Sequence, residues 1–387
     1  MLTFPIPSDA EKAAVWKAYY DRHPTRVPLR WGVNSRVVML DPALNSEGFT
    51  YEDVFGDPQA LITVALRTKT HIARSLAPVS DMAAALPETV EIGVDSQNIY
   101  DAAYFGASLA FRDGQVPDTA PAYTLDDLDR FLAMDFSRPL ENPWLAGRLR
   151  FHAEVTRLAA GVRCEGRPVR VAPLLFGFDG PLTVAMNLFG GDVLLLLADE
   201  PERAQRLFEF LSREAMRRNQ ALRLRAGLPA RTPDGGLADD SIQLISTATL
   251  EKVLLPVYAA YMNDASNSTV SSRNRGMHLC GDATRHFPLL VERLGVVSFD
   301  TGFPVDHGAL RAALGEEIEI FGGPEISLLL HGTPEACYQR AKSILQSGIM
   351  RGGRFILQEA NNLPPRVPVA NLAAVYAACL EFGRYGS

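Results

Sequence analysis

The sequence predicts a (β/α)8 TIM barrel with an N-terminal helical extension, and three observations carry that prediction. The last third alternates short apolar runs with helical stretches, the runs ending near Cys280, Asp300, Gly322 and Glu359 and the helices falling at 284–294, 306–314 and 334–347. Such a rhythm marks parallel strands joined by right-handed helical crossovers. The chain, at 387 residues, has the length of a barrel, and no glycine-rich dinucleotide fingerprint opens a doubly wound sheet. Residues 1–387 are therefore read as one barrel domain, with 1–25 as the extension.

The elements follow in order. Ser8 and Asp9 open a helix over 9–20 with Ala13, Ala14, Trp16 and Tyr19 on its apolar side. Arg26 to Gly32 reads as a short strand. If it is the first of the barrel, Asn34 and Arg36 stand at its mouth; otherwise they belong to a solvated loop. A helix near 58–75 precedes the strand Glu91–Val94, which delivers Gln97 and Asn98 either to a ligand or to the cap of a short helix behind them. After a proline-containing connector at 137–143, a helix over 143–161 leads to a strand over 169–176. In the following loop Pro181 suits a first helical turn and Asp179 suits its cap, with substrate contact as the alternative. Residues 193–198 read as helix core, and 201–226 as a long helix with a solvated arginine face. The strand Gly235–Ala238 ends in Asp239 and Asp240, followed by a helix over 249–263. Paired carboxylates at a pocket can act as acid and base, but successive strand residues face opposite ways, so one of the two faces the pocket. A helix over 371–382 closes the chain.

Composition narrows the partners. With 47% apolar and 21% charged residues the chain is that of a globular protein, and a formal charge of -7 argues against a phosphate backbone as partner. The expected ligand is a small molecule, with no nucleic acid and no membrane; the oligomeric state is open, a dimer included. The N-terminus lacks the features of a signal peptide, and four scattered cysteines fit a reducing compartment, so the expected location is cytoplasmic.

The chemistry concentrates at one stretch. His278 and Cys280 are two apart on a strand, so both point to one side and can reach one metal ion. Asp300 ends the next strand and brings a third potential ligand to the same mouth. The alternative is a core histidine beside a buried thiol. A metal-free pocket is also open to these residues, with His278 as proton donor oriented by Asp300 and Asp240 as acid or base.

Gly180-Pro181-Leu182-Thr183, Leu237-Ala238-Asp239-Asp240-Ser241, His278-Leu279-Cys280-Gly281-Asp282, Ser298-Phe299-Asp300, Phe321-Gly322-Gly323-Pro324 and Gly353-Arg354-Phe355 with Pro364-Pro365 resemble the uroporphyrinogen decarboxylase superfamily. That superfamily holds a haem-pathway decarboxylase and zinc-dependent, corrinoid-linked methyltransferases on a (β/α)8 barrel. The resemblance is specific over residues 170–385 and loose before 110. The decarboxylase's arginine-rich N-terminal pattern is absent, and the resemblance places its pocket aspartate at or near Gln97, its pocket tyrosine at or near Asn187 and its late histidine near Glu359. The resemblance to the methyltransferase branch implies zinc on His278 and Cys280, with Asp300 or Glu359 completing the set, because Asn361 stands where that branch has a later cysteine. It further implies methyl transfer between a small substrate and a corrinoid protein or another acceptor. Any corrinoid comes through a partner protein, since the Asp-x-His-x-x-Gly pattern is missing. The alternatives are a metal-free decarboxylase of a small or porphyrin-like carboxylate, with Arg36 holding the acid, and a binding barrel without catalysis.

Overall fold

The computed structural model describes residues 5–386. Five parallel strands form its regular sheet: β3 (Gly235–Ala238), β4 (Arg275–Leu279), β5 (Val296–Thr301), β6 (Glu319–Gly322) and β7 (Phe355–Leu357), each hydrogen-bonded to the next. On one side β1 (Val90–Ile92) pairs in parallel with β2 (Arg167–Val171), and the chain beyond β2 reaches β3 where Phe178 accepts the N–H of Ala238 at 3.2 Å. On the other side Leu29 pairs in parallel with Leu357 of β7. Asp81 then donates to the carbonyl of Leu29 at 2.8 Å, carrying the chain toward β1. Seven strands and the segment around Leu29 are the eight staves of an α/β barrel.

Glu91 of β1 and Arg170 of β2 are exposed, whereas helices pack on the later strands from outside and side chains fill the lumen. Phe299 on β5, for example, stacks on Phe287 of the following helix at 4.1 Å between ring centres. The lumen is polar at its lower end. Glu319, at the start of β6, accepts from Ser298 at 3.0 Å, from Arg354 at 2.7 Å and from Tyr19 at 2.8 Å. Tyr19 belongs to the N-terminal helix α1 (Asp9–Tyr20), which the reciprocal Ser8–Glu11 capping box starts. The extension is thus tied to the barrel floor through a buried phenol. Asp81 fastens the first stave from the side, accepting from Arg26 at 2.7 Å, from the backbone of Leu29 at 2.8 Å and from Tyr376 of the closing helix at 2.8 Å.

Most sequence-expected elements have their place, with shifted ends. The helix of 201–226 is Pro201–Arg225, and the closing helix is Val369–Phe382. The helix near 58–75 is α-helical over Pro58–His71 and continues as a wider turn over Ile72–Leu76. The strand expected over 169–176 ends at Val171, since Pro173 interrupts the ladder. The first stave is held by isolated pairings instead of a continuous strand. Unforeseen in the sequence is a two-stranded antiparallel ribbon, Leu109–Ala110 with Asp118–Thr119, which borders the mouth. Among the described residues no helix is long and apolar enough to cross a membrane.

Candidate active site

Strand register builds the centre of the mouth. His278 of β4 is level with Ala238 of β3 on one side and with Asp300 of β5 on the other. Side chains level in a parallel sheet point the same way, so Asp300 falls beside the imidazole and takes its Nδ1 at 2.9 Å. Nε2 faces Cys280, 3.0 Å from Sγ. Cys280 lies just past the end of β4, and Gly281 at φ +70° turns the chain away immediately behind it. A Cβ there would stand 1.9 Å from Gln243.

Asp240 completes the cluster. Its Oδ1 accepts the backbone N–H of Cys280 at 2.7 Å, and the ligand atoms of Asp240, His278 and Cys280 all lie within 4.8 Å of one another. Its neighbour Asp239 turns the other way and is fully buried. That carboxylate caps the helix Pro181–Phe189, accepting from Leu182 at 3.1 Å and Thr183 at 2.9 Å, and it also receives the Tyr258 hydroxyl at 2.7 Å. One carboxylate of the pair therefore faces the pocket and the other is architecture. Gly180 makes the close approach possible: at φ +80° its Cβ would meet the carbonyl of Ala238 at 2.2 Å. Burial pushes the Asp239 carboxyl up to about 6, even with those donors opposing it.

The sequence-expected site residues divide into two groups. Arg36, Asn98, Asp179, Asn187 and Asn361 line one cavity of about 760 Å³ together with Asp240, His278 and Cys280. Asp179 is not the helix cap, because Asp239 already serves those N–H groups. It accepts from Tyr100 at 2.6 Å, and burial, followed by the nearby charge of Asp101, pushes its carboxyl up to about 7. Asn34 and Gln97 are not among the lining residues. Asn34 accepts the N–H of Arg36 at 3.0 Å, and Gln97 donates to Ser35 at 3.0 Å and Asp95 at 2.5 Å, so both brace the loop that carries Arg36.

The expected third metal ligands are placed differently. Asp300 sits behind the imidazole, its second oxygen taken by Gln358 Nε2 at 2.6 Å. Glu359 is fully buried and directs both carboxylate oxygens at the N–H of Gly32, at 2.9 and 3.1 Å. Burial pushes it up to about 8. Alternation along β7 explains the split, since Gln358 and Glu359 leave the strand end on opposite faces. That alternation was readable in the sequence; the adjacency of Asp240 to Cys280, from different strands, was not.

The donor set suits zinc. A thiol, an imidazole and a carboxylate border an open cavity, as a catalytic zinc with a free coordination position requires, and a carboxylate on the far imidazole nitrogen is the usual outer support. Burial works against a charged His278, but Asp300 and Cys280 outweigh it and push the imidazole up to about 11; burial raises the Cys280 thiol while His278 draws it down. A second cavity of about 610 Å³, lined by Trp16, Tyr20, Arg30 and Trp31, shares His278, Asn361 and Asn362 with the first.

An eight-staved barrel with a convergent polar mouth is the architecture of an α/β-barrel enzyme family. The chain belongs to the uroporphyrinogen decarboxylase (URO-D) family, whose model matches residues 95–382. Among solved structures it is similar to a methyltransferase from Methanosarcina mazei, with a TM-score of 0.65 and 16% identity over 96% of this chain and 98% of that one. No curated protein sequence matches it.

Proposed function

We propose that this protein is a zinc-dependent methyltransferase, moving a methyl group between a small substrate and a corrinoid carried by a partner protein or another acceptor. The observation that carries the reading is the convergence of Asp240, His278 and Cys280 within 4.8 Å at the cavity wall. The likeness in fold to the Methanosarcina mazei methyltransferase supports it. Zinc held by Asp240, His278 and Cys280 would supply a Lewis acid that favours the ionised form of a substrate heteroatom.

The protein's own groups prepare the site. Asp300 accepts the Nδ1–H of His278 and so keeps that proton on Nδ1, which directs Nε2 toward Cys280 and the cavity, where its lone pair would be free for a metal once the ring is neutral. Asn98, Asn187 and Asn361 offer amide donors and acceptors to the substrate, and Arg36 offers one positive charge. The same wall carries Asp118, Asp179 and Asp240, a balance unsuited to a substrate with many carboxylates.

A second reading rests on Arg36 sharing that cavity with His278. In it Arg36 holds a single substrate carboxylate and His278 protonates the carbanion left by loss of carbon dioxide, without a metal. Metal analysis of the purified protein beside Cys280→Ser decides between them. About one zinc per chain, lost in the variant, is the result expected of methyl transfer. Metal-free protein from zinc-supplemented expression, together with carbon dioxide release, overturns it.

A further inference from the structure

We propose that Arg30 and Gln358 are positioning residues for the metal site, holding Asp300 so that His278 presents Nε2 in one orientation. The proposal rests on the zinc reading above and adds two residues that lie outside the Asp240, His278 and Cys280 donor set.

The connections run through four staves. Arg30 Nε donates to Gln358 Oε1 at 2.9 Å, Gln358 Nε2 donates to Asp300 Oδ1 at 2.6 Å, and Asp300 Oδ2 pairs with His278 Nδ1 at 2.9 Å. Each link fixes the next. Because Arg30 only donates and the Asp300 carboxylate only accepts, the amide of Gln358 has one workable orientation between them. The guanidinium is itself held, lying over the ring of Phe321 at 4.6 Å. Phe321 is the register partner of Asp300 on the adjacent strand, so the start and end of the chain of contacts rest on one sheet.

This arrangement also accounts for the placement of Asp300 as a support instead of a ligand. Both of its oxygens are taken, one by an amide and one by the imidazole, and rotation toward the cavity would break two short contacts. Gln358 is buried, so its amide has no ready replacement from bulk water. Loss of that donor frees one oxygen of Asp300, and the imidazole loses its fixed backing.

The test is zinc affinity, measured by competition with a chromogenic chelator on the full chain, for wild type, Gln358→Leu, Arg30→Met and Arg30→Lys. Wild type and variants are expected to take the same amount of zinc, with Gln358→Leu binding roughly 10–100-fold more weakly, the size of outer-shell effects on metal sites. Arg30→Met follows in the same direction, and Arg30→Lys, which keeps a donor for the amide oxygen, recovers part of the loss. The Nδ1 proton resonance of His278 should broaden in Gln358→Leu and in Arg30→Met. Wild-type affinity in both Gln358→Leu and Arg30→Met overturns the positioning role while leaving the zinc reading intact. Absence of zinc from wild type removes the reading and the proposal together. If Gln358→Leu does not fold, Arg30→Met decides, its metal-free melting temperature being compared with that of wild type.

Discussion

Asp240 and Cys280 are joined by a 2.7 Å hydrogen bond from the cysteine's backbone N–H to the aspartate's Oδ1. A potential ligand from the end of β3 is thereby fixed by the strand that supplies the other two. Replacing Asp240 by alanine removes both a donor atom and this tie. Zinc affinity should fall by at least about 100-fold, beyond the roughly 10–100-fold expected of an outer-shell change such as Asp300→Asn. Chelator competition on the two variants checks the order; equal effects would return Asp300 to the ligand set.

Asp239, adjacent in sequence, predicts a stability defect. Its carboxylate caps one helix and satisfies the buried Tyr258 hydroxyl, so Asp239→Ala should cost roughly 2–4 kcal/mol, the sum of a lost cap and an unpaired buried group. Urea unfolding measures it. Asp239→Ala/Tyr258→Phe should recover the share owed to the unpaired hydroxyl.

Glu359 gives a pH dependence. Its folded value of about 8 lies above the ordinary 4.5, so the folded state holds a proton that the unfolded chain has released between those limits. Its contribution to stability is fully present below about 4.5 and is lost as pH rises through about 8. Glu359→Gln keeps one oxygen for Gly32 and cannot ionise. The variant should therefore lose less stability than wild type between pH 5 and 9, a difference on the order of a few kcal/mol. Melting curves across that range are the check, and parallel curves would contradict it.

The buried pair of Arg218 and Asp101, 2.8 Å apart, supports the cavity from behind, because Asp101 also accepts the N–H of Asp179 at 2.9 Å. Arg218→Met leaves an uncompensated carboxylate and should destabilise by about 3–5 kcal/mol. Adding Asp101→Asn should restore part of it. Chemical denaturation of the three variants shows whether the two positions are coupled.

The barrel was legible because its last strands obey a strict period, and the sequence marks their ends at Cys280, Asp300, Gly322 and Glu359. The first half was harder to read. Its first stave is held by isolated pairings, and its third stops at Val171 while the apolar run in the sequence continues past Pro173 to Phe176, so the run overstates the strand. At the site, spacing within one strand placed His278 beside Cys280. Roles decided between strands were beyond it: whether Asp240 or Asp300 reaches the sulfur depends on register and on which neighbour claims each carboxylate. Asp179 shows the same limit. Its position before Pro181 suggested a cap, yet a carboxylate sixty positions later in the chain, Asp239, took that role.

The two hollows that share His278, Asn361 and Asn362 have a kinetic consequence. On the proposed methyl transfer, the two cavities would let donor and acceptor lie on either side of His278 at once. Initial rates measured over a grid of both concentrations should then give intersecting double-reciprocal lines, the pattern of a ternary complex. Parallel lines would mean that the first product leaves a substituted enzyme before the second substrate binds.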